Sequence, residues 1–391
     1  MQIVLDYIQD FFARLTQTEW IWLIVLGCAC LIQCVYWWVI YTYLPRFSRK
    51  IKKGKITFTQ ATPPVSVVIC ARNERYNLER FLPLILEQDY PEFEVVVVDD
   101  GSTDDTNDYL TVLKTQYEHL RTTFVPNEAK FINSKKFALT LGIKATKHEL
   151  LVLTDADCKP LSNQWLRKIV RNFDKDTDVV LGYGTYKKTK GLLNHLIVFD
   201  TLMIAIQYFN YALCGVPYMG VGRNLAYRKS TFTKNQGFTS HLNILSGDDD
   251  LFVNKVATKQ NTRIEIAPES HTESVPEETF RNWIRQKRRH LSTATLYNFK
   301  SKALLGLESL SRGVFYIALV GALIVGEWQL QSLAAGIFLI RYISQYIVIN
   351  VSAKKLNERR FYTGILLFDL ILPLISLHLM LTGGKQKSSS W

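Results

Sequence analysis

Three acidic clusters carry the residues best suited to chemistry. Asp155 and Asp157 lie in LLVLTDADCKP, two carboxylates with one small residue between them at the end of a short apolar run. Hard oxygen ligands so placed suit Mg²⁺ or Mn²⁺, which takes one or two carboxylates and leaves room for a substrate diphosphate. Asp99 and Asp100 open DDGSTDDT, where a carboxylate can accept a hydrogen bond from a pyrimidine N3–H or a ribose hydroxyl. The same residues would also serve as a turn with a helix cap. SGDDDLFVNK sets Asp248, Asp249 and Asp250 in a row before an apolar helix. Adjacent negative charges raise the pKa of one member towards that of a general base.

Further candidates flank these clusters. Ala71, Arg72, Asn73 and Glu74 follow an apolar run, so backbone groups there with Glu74 could bind a base and ribose; a simple helix entry is the competing reading. Lys135 and Lys136 open a helix and could reach a diphosphate or form a solvated basic face. In YMGVGRNLAYR, Gly220 and Gly222 permit close backbone approach to a substrate. WIRQKRRH places Gln286, Arg289 and His290 on one helical face, which could close over a leaving group, and its basic residues suit a membrane interface.

Alternating strands and helices must position these groups. Apolar runs at Val65–Cys70, Phe93–Val98, Thr122–Val125, Leu150–Leu153 and Asp178–Gly184 read as strands, and 77–88, 105–117 and 135–146 as helices. Strand, helix and strand within about 35 residues is a βαβ unit, and its repetition implies a mostly parallel, doubly wound α/β sheet. In such sheets ligands bind at the carboxyl ends of strands, where the acidic residues fall.

The chain ends are apolar and the centre polar, which is why the mean hydropathy averages to +0.01. Residues 20–44 carry no charge and are followed by Arg46, Arg49, Lys50, Lys52, Lys53 and Lys55. A span with its amino terminus outside and the rest of the centre in the cytoplasm is expected at the plasma (inner) membrane. Residues 310–328 and 330–351 form a second and third span, and 361–381 a further candidate. The apolar stretch 191–214 is interrupted by Asn194, His195, Asp200, Gln207 and Asn210, and reads as an amphipathic helix on the domain or membrane surface. Arg341 and Asp369 lie within apolar segments and suit a structural pair or a pore lining. The formal net charge of +12 calls for an anionic partner. Because the basic residues cluster at membrane edges, this is a membrane face and no nucleic acid. The six cysteines show no CxxC spacing and read as buried hydrophobes.

The expected divisions are an amphipathic lead-in and span at 1–45, a basic linker at 46–64, a catalytic domain at 65–275, interfacial helices at 276–308, spans at 309–384 and a tail at 385–391. DDG, DAD, GDDD and QxxRH in this order, between a leading span and trailing ones, resemble the membrane-integrated branch of the inverting family 2 glycosyltransferases, which includes cellulose, chitin and hyaluronan synthases and ceramide glucosyltransferases. The resemblance is close over 64–291 and implies a GT-A fold. It also implies Asp99 or Asp100 on the nucleotide of a UDP-sugar donor, Mg²⁺ or Mn²⁺ on Asp155 and Asp157 with Asp157 foremost, and Lys135 on the diphosphate. Asp249 becomes the base, with Asp248 beside it. Ala71, Glu74, Gln286 and Arg289 fall on the donor side, and Gly222, Asp250 and His290 on the acceptor side. The family's tryptophan is His290 here, a smaller platform for an acceptor sugar. The expected acceptor is a growing extracellular or capsular polysaccharide, with single addition to a membrane lipid as the alternative. Three or four spans are few for a secretion channel, so polymer export would need a homodimer or a partner subunit. A catalytically silent scaffold would have lost DAD or GDDD, and both are present.

Overall fold

Strands that are apolar on both faces need cover on both sides, and helices supply it. The computed structural model describes residues 11–126, 135–242, 244 and 246–382. The first ten residues of the expected lead-in, and the tail 385–391 with Lys385 and Lys387, lie outside the described residues. The first half runs α1 (Gln17–Val35), α2 (Tyr43–Lys52), β1 (Val65–Ala71), α3 (Arg75–Leu86), β2 (Phe93–Asp99), α4 (Thr106–Leu113), β3 (Leu120–Phe124), α5 (Lys135–Ala145), β4 (Leu150–Leu153), β5 (Cys158–Pro160), α6 (Trp165–Val170), β6 (Val179–Leu181) and β7 (Gly184–Tyr186). There follow α7 (Leu192–Leu213), β8 (Leu225–Arg228), α8 (Lys229–Lys234), α9 (Asp250–Val256), β9 (Thr262–Ile264), β10 (Thr272–Ser274), α10 (Phe280–Leu291), α11 (Phe299–Val325), α12 (Trp328–Lys355) and α13 (Ile365–Thr382).

A seven-stranded sheet has the order β3-β2-β1-β4-β8-β6-β9, and a three-stranded sheet β5-β10-β7 leans beside it. β3, β2, β1 and β4 run parallel, whereas β8 is antiparallel to both neighbours. Along β1, Val65, Val67 and Ile69 pack with Leu78, Leu82 and Ile85 of α3. Val68 and Cys70 point the other way, against Ala138, Leu139 and Ile143 of α5. Gly142 lets α5 lie close, since a Cβ there would stand 2.6 Å from Val98. The single strand expected at Asp178–Gly184 is divided. β6 stays in the large sheet, the chain turns at Gly182 against Asn224, and β7 joins the small one.

Among the described residues, five helical stretches are long and apolar enough to cross a membrane: Gln17–Lys52, α7, α11, α12 and α13. Small residues let α1, α11 and α12 approach, with Ala29, Ala318, Ala322 and Ala334 at the contact. Ile24, Leu31, Ile317, Ile324, Leu339 and Leu374 face outward. Inside, Arg341 is fully buried and meets Asp369 at 2.9 Å, Gln33 at 3.2 Å and Tyr316 at 3.1 Å. Arg312 joins Asp369 to Glu308.

α7 differs from the surface helix expected. Fourteen of its 22 residues are buried, between the sheet and the long helices. A helix apolar on all sides is stable only when covered on all sides. The polar residues that interrupt it are ties to neighbours. Asn210 accepts from the Leu44 amide at 2.7 Å, Asp200 pairs with Lys287 at 2.7 Å, and Asn194 accepts from Arg359.

Candidate functional site

The parallel strands end together, and their ends gather the acidic residues into one cleft. A cavity is lined by Lys135, Thr154, Asp155, Gly222, Asp248 and Asp249, and floored by Val68, Cys70, Leu139 and Leu153. Lys135 stands at its centre, with Nζ 2.6 Å from Asp155 and 3.3 Å from Asp248. Against a burial that would raise it, this ammonium holds the Asp248 carboxyl below the usual range. Its charge is therefore engaged by two carboxylates.

Asp249 is set by backbone. Its Oδ2 accepts from the Gly222 amide and its Oδ1 from the Asp250 amide, both at 2.7 Å. Burial, then the charges of Asp248 and Asp250, push its pKa up to about 7. Gly222 thus serves the carboxylate through its N–H. Asp250 turns away from the cavity. Its Oδ2 accepts from Thr293 and, at 2.7 Å, from Tyr297, which fastens the segment after α10 to the start of α9. The acceptor contact expected of Asp250 is replaced by this clamp, because a buried carboxylate needs donors and these two hydroxyls supply them.

Asp155, Asp157 and Cys158 bring their ligand atoms within 4.8 Å of one another. Burial and the neighbouring Asp155 raise the pKa of Asp157, so two carboxylates held this closely repel and would be relieved by a cation. Burial keeps the Cys158 thiol protonated, and it donates to Asp157 at 3.2 Å. The donor set that fits an ion is therefore hard, two carboxylates, and suits Mg²⁺ or Mn²⁺. Glu74 lies close enough to feel both. Burial, then Asp157 and Asp155, raises its pKa while Asn77 donates to it at 2.7 Å.

At the β1 and β2 ends, Ala71 is buried and its carbonyl accepts from the Asp100 amide at 2.9 Å. Ala71 can offer a ligand backbone only. Asp99 closes the turn by accepting from the Ser102 amide at 2.8 Å, and Asp100 stands 3.8 Å from Arg72. On α10, Gln286 accepts from the Tyr186 hydroxyl at 3.3 Å. His290 is open to solvent but walled by protein. Desolvation, Arg289 and Arg223 keep it neutral.

Two residues here went unnoticed in the sequence, and a third has a different role from the one expected. Tyr186 and Arg223 pack together, guanidinium over ring at 4.2 Å. Lys136, read as a diphosphate ligand or a solvated residue, is neither. It is fully buried, and its Nζ donates to the carbonyls of His241 and Ile244, holding the segment that leads to Asp248. Burial pushes its pKa down to about 8. A lone Arg or the second of two lysines gives no periodic signal that could have marked these roles.

Comparison with known proteins agrees with this geometry. Residues 66–234 match the model of glycosyl transferase family 2. A probable glycosyltransferase, YdaM, of Bacillus subtilis is 26% identical over 256 residues, covering 62% of this chain and 58% of the relative. The glycosyltransferase AglE of Haloferax volcanii is 33% identical over 112 residues, 28% of this chain and 35% of the relative. A beta-monoglucosyldiacylglycerol synthase of Nostoc is 28% identical over 127 residues, 32% of this chain and 25% of the relative. The chain thus spans between a quarter and three fifths of the length of these relatives. In fold it is similar to a mannosyltransferase of Pyrobaculum calidifontis solved with GDP-Man and Mn²⁺, with a TM-score of 0.56 and 19% identity over 87% of this chain and 99% of the other. Residues 66–234 are therefore similar to glycosyl transferase family 2, and the chain has a GT-A-like fold.

Proposed function

We propose that the protein transfers a sugar from a nucleotide-sugar donor, UDP-linked by preference, to an acceptor held at the cytoplasmic membrane face, with inversion at the anomeric carbon. The observation that carries this reading is Asp249, a carboxylate in the cleft whose pKa of about 7 matches the task of a base at neutral pH. Asp249 takes the proton of the acceptor hydroxyl as that oxygen attacks the anomeric carbon and the bond to the nucleoside diphosphate breaks. One carboxylate suffices, and no glycosyl-enzyme forms. Asp157 and Asp155 would hold Mg²⁺ or Mn²⁺, which when bound supplies positive charge to the departing diphosphate. Asp100 and Asp99 face the base and ribose, and Arg289 adds positive charge from α10. Neutral His290 can accept a hydrogen bond from an acceptor hydroxyl.

A lipid acceptor is favoured over a polymer exported through this chain. Arg341, Asp369, Arg312, Glu308 and Gln33, the polar groups that a pore would need, engage one another instead. Named glycolipid synthases among the relatives point the same way. The test is to incubate purified protein in lipid nanodiscs with Mg²⁺ or Mn²⁺, a panel of radiolabelled nucleotide sugars and membrane lipid extract. A single-sugar, solvent-extractable product of inverted configuration is expected. A high-molecular-weight product would overturn the lipid reading, and no transfer from any donor would overturn the whole.

A further inference from the structure

Arg223 is a cation of this cleft that Asp157 acts on without an ion pair at contact distance among the described residues. Lys135 is engaged by Asp155 and Asp248, whereas among the described residues no ion pair joins Arg223 to an acidic side chain. Asp157 on one side and His290 on the other both feel its charge. Asp157 favours the charged guanidinium from a distance, and its planar donors are not taken up by a carboxylate at contact.

The turn that carries it is fixed from every side. In the short 3₁₀ turn Gly222–Asn224, the Gly222 amide is bound to Asp249. The Arg223 carbonyl accepts from Thr154 at 3.1 Å and from Thr272 at 2.9 Å. The buried Asn224 side chain is held by Tyr183, Ser270 and Trp165. The arginine side chain lies in a cradle of β7. The Tyr186 ring stacks on the guanidinium, and Gly184 leaves room for the stem, since a Cβ there would come within 2.7 Å of it. Side chains alternate along a strand, and the other face of β7 is anchored to the loop between α12 and α13. The buried Glu358 carboxylate accepts from Tyr183 at 3.1 Å, Thr185 at 2.5 Å and Lys188 at 2.9 Å. Such over-determination of a single cation is the geometry of a preorganised anion ligand.

We propose that Arg223 is a substrate-binding residue that grips the β-phosphate of the donor nucleoside diphosphate, taking the role that the sequence suggested for Lys135. The inference rests on the sugar-transfer reading and names one of its contacts. Arginine suits the task because its planar fork of donors matches phosphate oxygens. Position supports the β-phosphate over the α-phosphate or the base: Arg223 neighbours Asp157 and His290, at the acceptor side of the cleft.

Calorimetric titration of the full-length protein tests this, with Mn²⁺ present. The probes are whichever of UDP, GDP, CDP and ADP the wild type binds most tightly, and the corresponding monophosphate. Arg223→Gln is expected to weaken the diphosphate about 10- to 100-fold while changing the monophosphate less than threefold. Arg223→Lys should recover part of the loss. Gly184→Ala, which displaces the stem without removing the charge, should weaken the diphosphate alone by a smaller factor. Monophosphate binding reports in every variant that the nucleotide site is folded. Equal diphosphate affinity in wild type and Arg223→Gln, or equal losses for both ligands, would overturn the assignment and leave the sugar-transfer reading standing. Failure of the wild type to bind any of the four diphosphates would overturn both.

Discussion

Asp249→Asn is expected to stop sugar transfer and, above neutral pH, to make the protein more stable. Burial with Asp248 and Asp250 beside it moves the Asp249 pKa from an ordinary 3.8 to about 7. At pH 8 the native state must hold this group charged at a cost of about 4 kcal/mol relative to the unfolded chain. Asparagine removes that cost. It keeps a single acceptor oxygen, so one of the two backbone amides of Gly222 and Asp250 loses its partner, at about 1–3 kcal/mol. The balance favours asparagine by about 1–3 kcal/mol, a few degrees in Tm. The sign follows from a raised native pKa: the stability Asp249 contributes is complete below its unfolded pKa and is lost as pH rises through about 7. The advantage of asparagine is therefore largest at pH 8 and mostly gone at pH 5. Thermal unfolding in nanodiscs at the two pH values reads this directly, beside a transfer assay that should fall 100- to 10,000-fold, on the order expected for loss of a general base. Normal turnover, or an equal fall in Tm at both pH values, would refute the reasoning.

The remaining expectations are these. kcat/KM should rise with pH to a plateau with a midpoint near 7, as Asp249 ionises, and Asp248→Asn should move that midpoint to lower pH by removing a neighbouring charge; a pH–rate profile with an unmoved midpoint would contradict the coupling. Chelation with EDTA should abolish transfer and Mn²⁺ or Mg²⁺ restore it, with Asp157→Asn needing a higher ion concentration; full activity in chelator would exclude the Asp155 and Asp157 pair from ion binding. Arg341→Met or Asp369→Leu alone should cost about 3–5 kcal/mol by leaving a buried charge unpaired, and the double substitution should recover most of it. Additive losses in Tm would argue against the pair.

Much of the fold was legible because burial on two faces leaves a plain mark. Val65–Cys70, Phe93–Val98 and Leu150–Leu153 are uninterrupted apolar runs, and they became the parallel centre of the sheet within a residue of their expected ends. Asp99, Asp100, Asp155 and Asp157 fell at strand ends because a chain leaving a buried sheet meets the cleft there. α7 was misjudged by a local rule: polar residues within an apolar stretch look like an exposed face, yet Asn194, Asp200 and Asn210 are buried or half-buried and bonded to distant partners.

Within the acidic row the sequence could set only the row itself. Asp248, Asp249 and Asp250 are identical in type and adjacent, and the difference between an ion-paired carboxylate, one held by backbone amides and a clamp arises from Lys135, Gly222 and Thr293, which lie 113, 27 and 43 residues away along the chain. The same holds for Lys135 and Lys136, turned to different partners by one step of a helix, and for Arg223, whose place follows from β7. Residue order alone determined the central strands of the parallel sheet, the long apolar segments, and where carboxylates gather. Which carboxylate is charged, which cation is ion-paired, and which apolar helix is covered by protein were decided by tertiary contacts, because ionisation and burial depend on neighbours in space.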